Sequence, residues 1–122
     1  MPRGALSDLV DDLQAGGRLT FTREEAMATL GVSAGALNQA ALRLARRDRL
    51  VARRRGFFVI IPLEFRSRGA PPPERWVPEC VRFLGAREQV TEQVGDEVLV
   101  TVGRPLRPAR CGHYEVRFRV QR

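Results

Sequence analysis

The chain predicts an α+β fold, with helices first and most strands later. Three observations carry this. Residues 7–14, 23–30 and 34–47 repeat apolar side chains at helical spacing. Two apolar runs, 50–52 and 57–61, flank a turn of arginines and glycine. Residues 114–120 alternate apolar and polar side chains strictly. The length of 122 residues suits one domain, or a small domain with an appendage. With 43% hydrophobic and 29% charged residues, the composition is that of a folded chain rather than a disordered one.

Ser7 is the expected N-cap of the first helix, and Leu6, Leu9, Val10 and Leu13 form its apolar face. Gly16-Gly17 ends it, and Leu19–Phe21 is a short extended piece. Thr22-Arg23-Glu24-Glu25 has the capping-box pattern, a hydroxyl followed three residues later by a carboxylate, and starts a helix over 23–30. Gly31-Val32 is a tight turn. Ser33 then caps a third helix over 34–47, with Leu37, Ala40, Ala41 and Leu44 inward. Leu50–Ala52 and Phe57–Ile61 form a hairpin whose tip is Arg53-Arg54-Arg55-Gly56. Helix, short strand, helix, turn, helix and hairpin, in that order, is the plan of a winged helix-turn-helix, expected over residues 1–62.

Residues 63–73 contain Gly69 and Pro71-Pro72-Pro73, and read as a Pro-rich linker. In 74–122 the pattern predicts a small α/β appendage of one helix and two antiparallel strands. The helix spans Glu74–Leu84, with a stripe of Trp76, Val77, Cys80, Val81 and Leu84. The strands are Glu97–Val102 and Tyr114–Val120, joined by Gly103–His113.

Charge supplies the strongest functional signal. The net charge is +7, and all 21 basic residues are arginine. Between Arg43 and Arg55 lie Arg43, Arg46, Arg47, Arg49, Arg53, Arg54 and Arg55 against one acid, Asp48. Such a density attracts a polyanion and makes binding weaken with salt. In a helix-turn-helix the second helix of the motif enters the major groove. Its outward N-terminal positions here include Ala34, Gly35, Asn38, Gln39 and Arg43. Asn and Gln pair with adenine in two hydrogen bonds, and Arg with guanine. The hairpin arginines suit phosphates or a narrow minor groove. The expected partner is double-stranded DNA. Arg104, Arg107, Arg110, Arg117, Arg119 and Arg122 leave two readings open: a second nucleic-acid surface, or pairing with acids of a partner or of this chain, such as Glu88, Glu92, Asp96 and Glu97.

Other classes find little support. The longest apolar run, Phe57–Leu63, has seven residues, whereas a membrane helix needs about 20. The N-terminus shows no secretory pattern, so the chain is expected in the cytoplasm. Cys80, Cys111 and His113 do not have the spacing of a metal site. No Walker loop or nucleophile elbow is present. No enzyme activity, catalytic residue, cofactor or metal is expected.

Four segments in order, Gly17–Ala26, Leu30–Ser33, Arg53–Pro62 and Gly69–Pro73, resemble the N-terminal part of AbiEi-family antitoxins of bacterial type IV toxin–antitoxin systems. The similarity covers about residues 8–84. It implies a winged-helix domain that binds repeats in its own promoter and represses it. It also implies a following antitoxin domain that counters a nucleotidyltransferase-like toxin without a stable complex. Carried over, the DNA-contacting positions are Ser33, Asn38, Gln39, Arg43, Arg46, Arg53, Arg54 and Arg55. The basic run adds Arg47. Where the family continues with a longer helical segment, this chain passes from Gly85 to Gly103–Pro108, a later family segment, so the antitoxin region is expected to be shortened. The function expected is a sequence-specific autorepressor of a toxin–antitoxin operon. The alternative is a protein- or RNA-binding module without specific DNA recognition. Operators made of repeats also suit paired copies, and the edge of strand 114–120 is available for pairing across a dimer.

Overall fold

A computed structural model describes residues 5–53 and 56–121. The first helix, α1 (Ala5–Ala15), buries Leu6 and Val10. It extends N-terminal of Ser7, so this residue does not cap the helix. Its hydroxyl instead accepts a hydrogen bond from Arg49 Nη1 at 2.8 Å. Strand β1 (Thr20–Thr22) leads into α2 (Arg23–Leu30). The capping box is complete there: Thr22 Oγ1 accepts from the Glu25 N–H at 3.2 Å, and Glu25 Oε1 accepts from the Thr22 N–H at 2.6 Å. Helix α3 (Ala34–Arg46) follows, then strands β2 (Leu50–Arg53) and β3 (Phe57–Ile60). The three strands form an antiparallel sheet in the order β1-β3-β2. Leu6, Val10, Phe21, Leu37, Leu44 and Phe58 belong to the core between this sheet and the helices.

Residues 63–73 are packed against the rest of the chain. They contain a 3-10 turn over Leu63–Arg68, and Ala70, Pro71 and Pro73 are buried. A second 3-10 turn, Pro73–Arg75, precedes α4 (Val77–Phe83). The helix expected over 74–84 is therefore divided at Trp76. The indole of Trp76 is buried, and its Nε1–H donates to the Pro71 carbonyl at 3.1 Å.

The remainder is richer in strands than the sequence suggests. Strands β4 (Glu88–Val94), β5 (Glu97–Val102), β6 (Ala109–Cys111) and β7 (Tyr114–Val120) form a sheet in the order β4-β5-β7-β6. In place of two antiparallel strands there are four, and β5 and β7 pair in parallel. The cause is the connection between them. It places β6 on the far side of β7 and returns through the turn Gly112-His113, so β7 enters the sheet in the same direction as β5. Strand β7 pairs with β5 over residues 115–120 and with β6 only over Tyr114–Val116, so residues 117–120 keep one edge outside the β6 ladder; the sheet otherwise ends at β4 and β6. No helix among the described residues is long and apolar enough to cross a membrane.

The two sheets share a core through β3. All four of its residues are buried. Phe58 and Ile60 join the helical core, while Phe57 and Val59 join a second core with Trp76, Val81, Val100 and Val116. Cys80 and Cys111 are both buried in this second core.

Candidate nucleic-acid interface

The turn between α2 and α3 is built from three local signals. Gly31 adopts the left-handed conformation (φ 65°) and its N–H donates to the Met27 carbonyl at 2.8 Å, closing α2. Val32 is the link. Ser33 is extended, and its Oγ accepts from the Ala36 N–H at 3.2 Å, opening α3. The hydroxyl of Ser33 thus holds the helix start and remains on the surface.

Helix α3 has two distinct faces. Leu37, Ala40, Ala41 and Leu44 are buried. Gly35, Asn38, Gln39, Leu42, Arg43 and Arg46 are exposed and recur at spacings of three and four, so they share the opposite side. Arg47, the C-cap residue, is exposed too. Arg43 and Arg46 occupy the last turn, where the helix dipole favours cations. Among the described residues, none of Asn38, Gln39, Arg43, Arg46 or Arg47 takes part in an ion pair or a side-chain hydrogen bond.

Arg49 differs from its neighbours in the basic run. It turns away from this face to pair with Asp11 and Ser7 of α1. Its guanidinium has an acidic partner within the chain, which linear spacing did not reveal because Asp11 lies 38 residues away. Arg53 closes β2, in register with Phe57. Arg54 and Arg55, the expected tip of the hairpin, lie outside the described residues. The base of the hairpin is fixed: the Gly56 carbonyl accepts from the Arg23 N–H at 2.8 Å, tying it to the start of α2.

Sequence reasoning passed over Leu42. It is 47% exposed in the middle of the outer stripe of α3. Its position five residues beyond buried Leu37 was the available signal, since that spacing puts the two leucines on different sides of a helix.

The C-terminal arginines have a different environment. Arg110 and Arg117 lie 3.7 and 3.3 Å from Glu115, and Arg119 lies 4.0 Å from Glu92. The Arg104 guanidinium donates to the Leu84 carbonyl behind α4. Arg68 pairs with Asp96 and stacks over Tyr114, 5.3 Å from the ring centre. His113 is exposed on the β6–β7 turn, apart from the α3 face. Among the described residues, no three His, Cys, Asp or Glu side chains are grouped as a metal site requires.

No family model matches the chain, and neither a curated protein nor a solved structure matches it.

Proposed function

We propose that the chain is a sequence-specific DNA-binding transcriptional regulator without enzymatic activity, built on a winged helix-turn-helix whose recognition helix is α3. The observation that carries this is the outer face of α3: two uncommitted amides, Asn38 and Gln39, beside three arginines, 43, 46 and 47, that have no ion-pair partner among the described residues. Arginines without acidic neighbours suit phosphates and guanine, and the amides suit adenine. A helix about 10–12 Å across enters a major groove about 12 Å wide. A few residues after α3 the sequence adds three more positive charges, Arg53, Arg54 and Arg55.

The assignment as an autorepressor of a toxin–antitoxin operon rests on the AbiEi resemblance of residues 8–84. On that reading the DNA is the repeats of the chain's own promoter, and the functional counterpart is a nucleotidyltransferase-like toxin. One feature favours the alternative of a protein-binding module: edge strand β4 leaves Val90 and Val94 50% and 81% exposed.

Fluorescence anisotropy with DNA from upstream of its gene and a scrambled duplex, each at several salt concentrations, tests the proposal. Preference for the upstream duplex is expected. Asn38→Ala and Gln39→Ala are each expected to reduce that preference by about 1–3 kcal/mol. Equal, salt-sensitive binding to both duplexes would leave only a generic polyanion binder. No binding to either would transfer the assignment to the protein-binding reading.

A further inference from the structure

We propose that Leu42 reads the 5-methyl group of a thymine in the major groove, adjoining the base pair contacted by Asn38 or Gln39. This rests on α3 being the recognition helix. Leu42 has 47% of its surface exposed, yet it lies in the centre of the stripe that carries Asn38, Gln39 and Arg46, rather than at its margin. A single exposed leucine is ordinary on a protein surface. Its surroundings distinguish this one. Among the described residues, the other exposed large aliphatic side chains, Leu63, Val90, Val94 and Val120, lie beyond the first sheet, so Leu42 is the large apolar side chain of a face otherwise made of glycine, amides and arginines.

Direction and distance fit the assignment. Long side chains on a helix lean toward its N-terminus, over the residues three and four positions earlier. For Leu42 those are Gln39 and Asn38. Asn38 and Leu42 are separated by about 6 Å along the helix axis, at about 1.5 Å per residue. That is between one and two base-pair steps of about 3.4 Å. An amide bound to adenine thus leaves the leucine methyls over a neighbouring base pair. Among major-groove edges only thymine presents a methyl group there. The arginines at 43, 46 and 47 supply the complementary charge for the phosphates on either side.

The experiment is a deoxyuridine scan of the duplex from upstream of the gene. Each thymine is replaced in turn, which removes only its methyl group. Anisotropy is measured with the wild-type chain and with Leu42→Ala, a substitution at an exposed position that leaves the core intact. For the wild type, one or two substitutions are expected to weaken binding about fourfold, the effect of one methyl-sized group. Leu42→Ala is expected to weaken binding to the unmodified duplex by a similar factor and to respond no further at those positions. If the wild type prefers the upstream duplex and the scan is flat, the thymine reading is wrong while DNA recognition stands. A penalty that persists in full in Leu42→Ala overturns it equally, by assigning the methyl to another residue. Absence of any preference for the upstream duplex removes both readings.

Discussion

Asp48 occupies a position usually held by glycine. It follows the C-cap of α3 with φ 57°, the left-handed conformation. Its N–H donates to the Ala45 carbonyl and that of Arg49 to the Leu44 carbonyl, each at 3.0 Å, which is the Schellman pattern. A side chain in this conformation costs about 1–2 kcal/mol, and glycine returns about 0.5–1 kcal/mol of that as extra freedom in the unfolded chain. Asp48→Gly should therefore stabilise the fold by about 0.5 kcal/mol, a rise in melting temperature of about 2 °C. It also removes the acid beside Arg46 and Arg47, so affinity for DNA should rise at low salt and converge with the wild type as screening grows. The neighbouring arginines separate structure from binding. Arg49→Ala loses its contacts to Ser7 and Asp11, and should cost up to about 1 kcal/mol of stability while leaving the salt slope of DNA binding unchanged. Arg47→Ala should do the reverse: an unaltered melt, weaker binding to every duplex, and a salt slope reduced by about 0.9. A salt slope that changes with Arg49 and not with Arg47 would place the phosphate contacts elsewhere.

The β6–β7 hairpin meets the 63–70 segment at two glycines. A Cβ on Gly112 would lie 2.4 Å from both the Arg68 carbonyl oxygen and the Gly69 carbonyl carbon. These are backbone atoms, pinned further by the His113 N–H donating to the Arg68 carbonyl at 2.8 Å. Gly112→Ala should cost about 3 kcal/mol, read as a lower denaturant midpoint, by adding overpacking to left-handed strain. Gly95, in the β4–β5 turn, has nearly the same φ (60° against 59°), and its Cβ would have open space. Gly95→Ala should lose only the strain, about 1 kcal/mol. The contrast tests whether the crossing, rather than the turn itself, makes Gly112 indispensable. The surroundings of Gly69 and Gly112 are not legible in the sequence, because the two residues meet only through the fold. Local features were legible: the Thr22–Glu25 capping box, Gly31 and Ser33 at the helix ends, and the apolar run of β3 each act within a few residues. Strand β4 was not, since Glu-Gln-Val-Thr-Glu-Gln-Val carries polar groups on both faces, as an edge strand can. Strand β6 has three residues, too few for a period to register. The outer stripe of α3 followed from helical spacing alone, whereas the diversion of Arg49 to Asp11 required knowing that α1 packs beside it.

At the scale of the molecule, the shared strand β3 makes the two cores interdependent. Phe58 stacks on Phe21 in the helical core, with ring centres 4.9 Å apart. Phe57, the adjacent residue, meets Phe83 of α4 at 5.3 Å in the second core. A fragment of residues 1–62 retains every candidate DNA-contacting side chain but leaves Phe57 and Val59 uncovered. Each such side chain gains about 1.5–3 kcal/mol from full burial. Losing two such burials removes about 3–6 kcal/mol, a large share of the about 5–15 kcal/mol that holds a domain folded. The fragment should therefore melt broadly at a low temperature, and its preference for the upstream duplex should weaken although its arginines remain. Making the uncovered face polar, by Phe57→Thr and Val59→Thr within the fragment, should improve solubility without restoring the lost stability. Threonine has the β-branching that strands favour but supplies no partner for the sheet. In the full-length chain the same two substitutions should instead be destructive, because they place hydroxyls among Trp76, Val81 and Val100. Thermal melts followed by circular dichroism distinguish the cases. A fragment that melts as sharply and as high as the full chain would show that the helical core is self-sufficient and that residues 63–122 only rest against it.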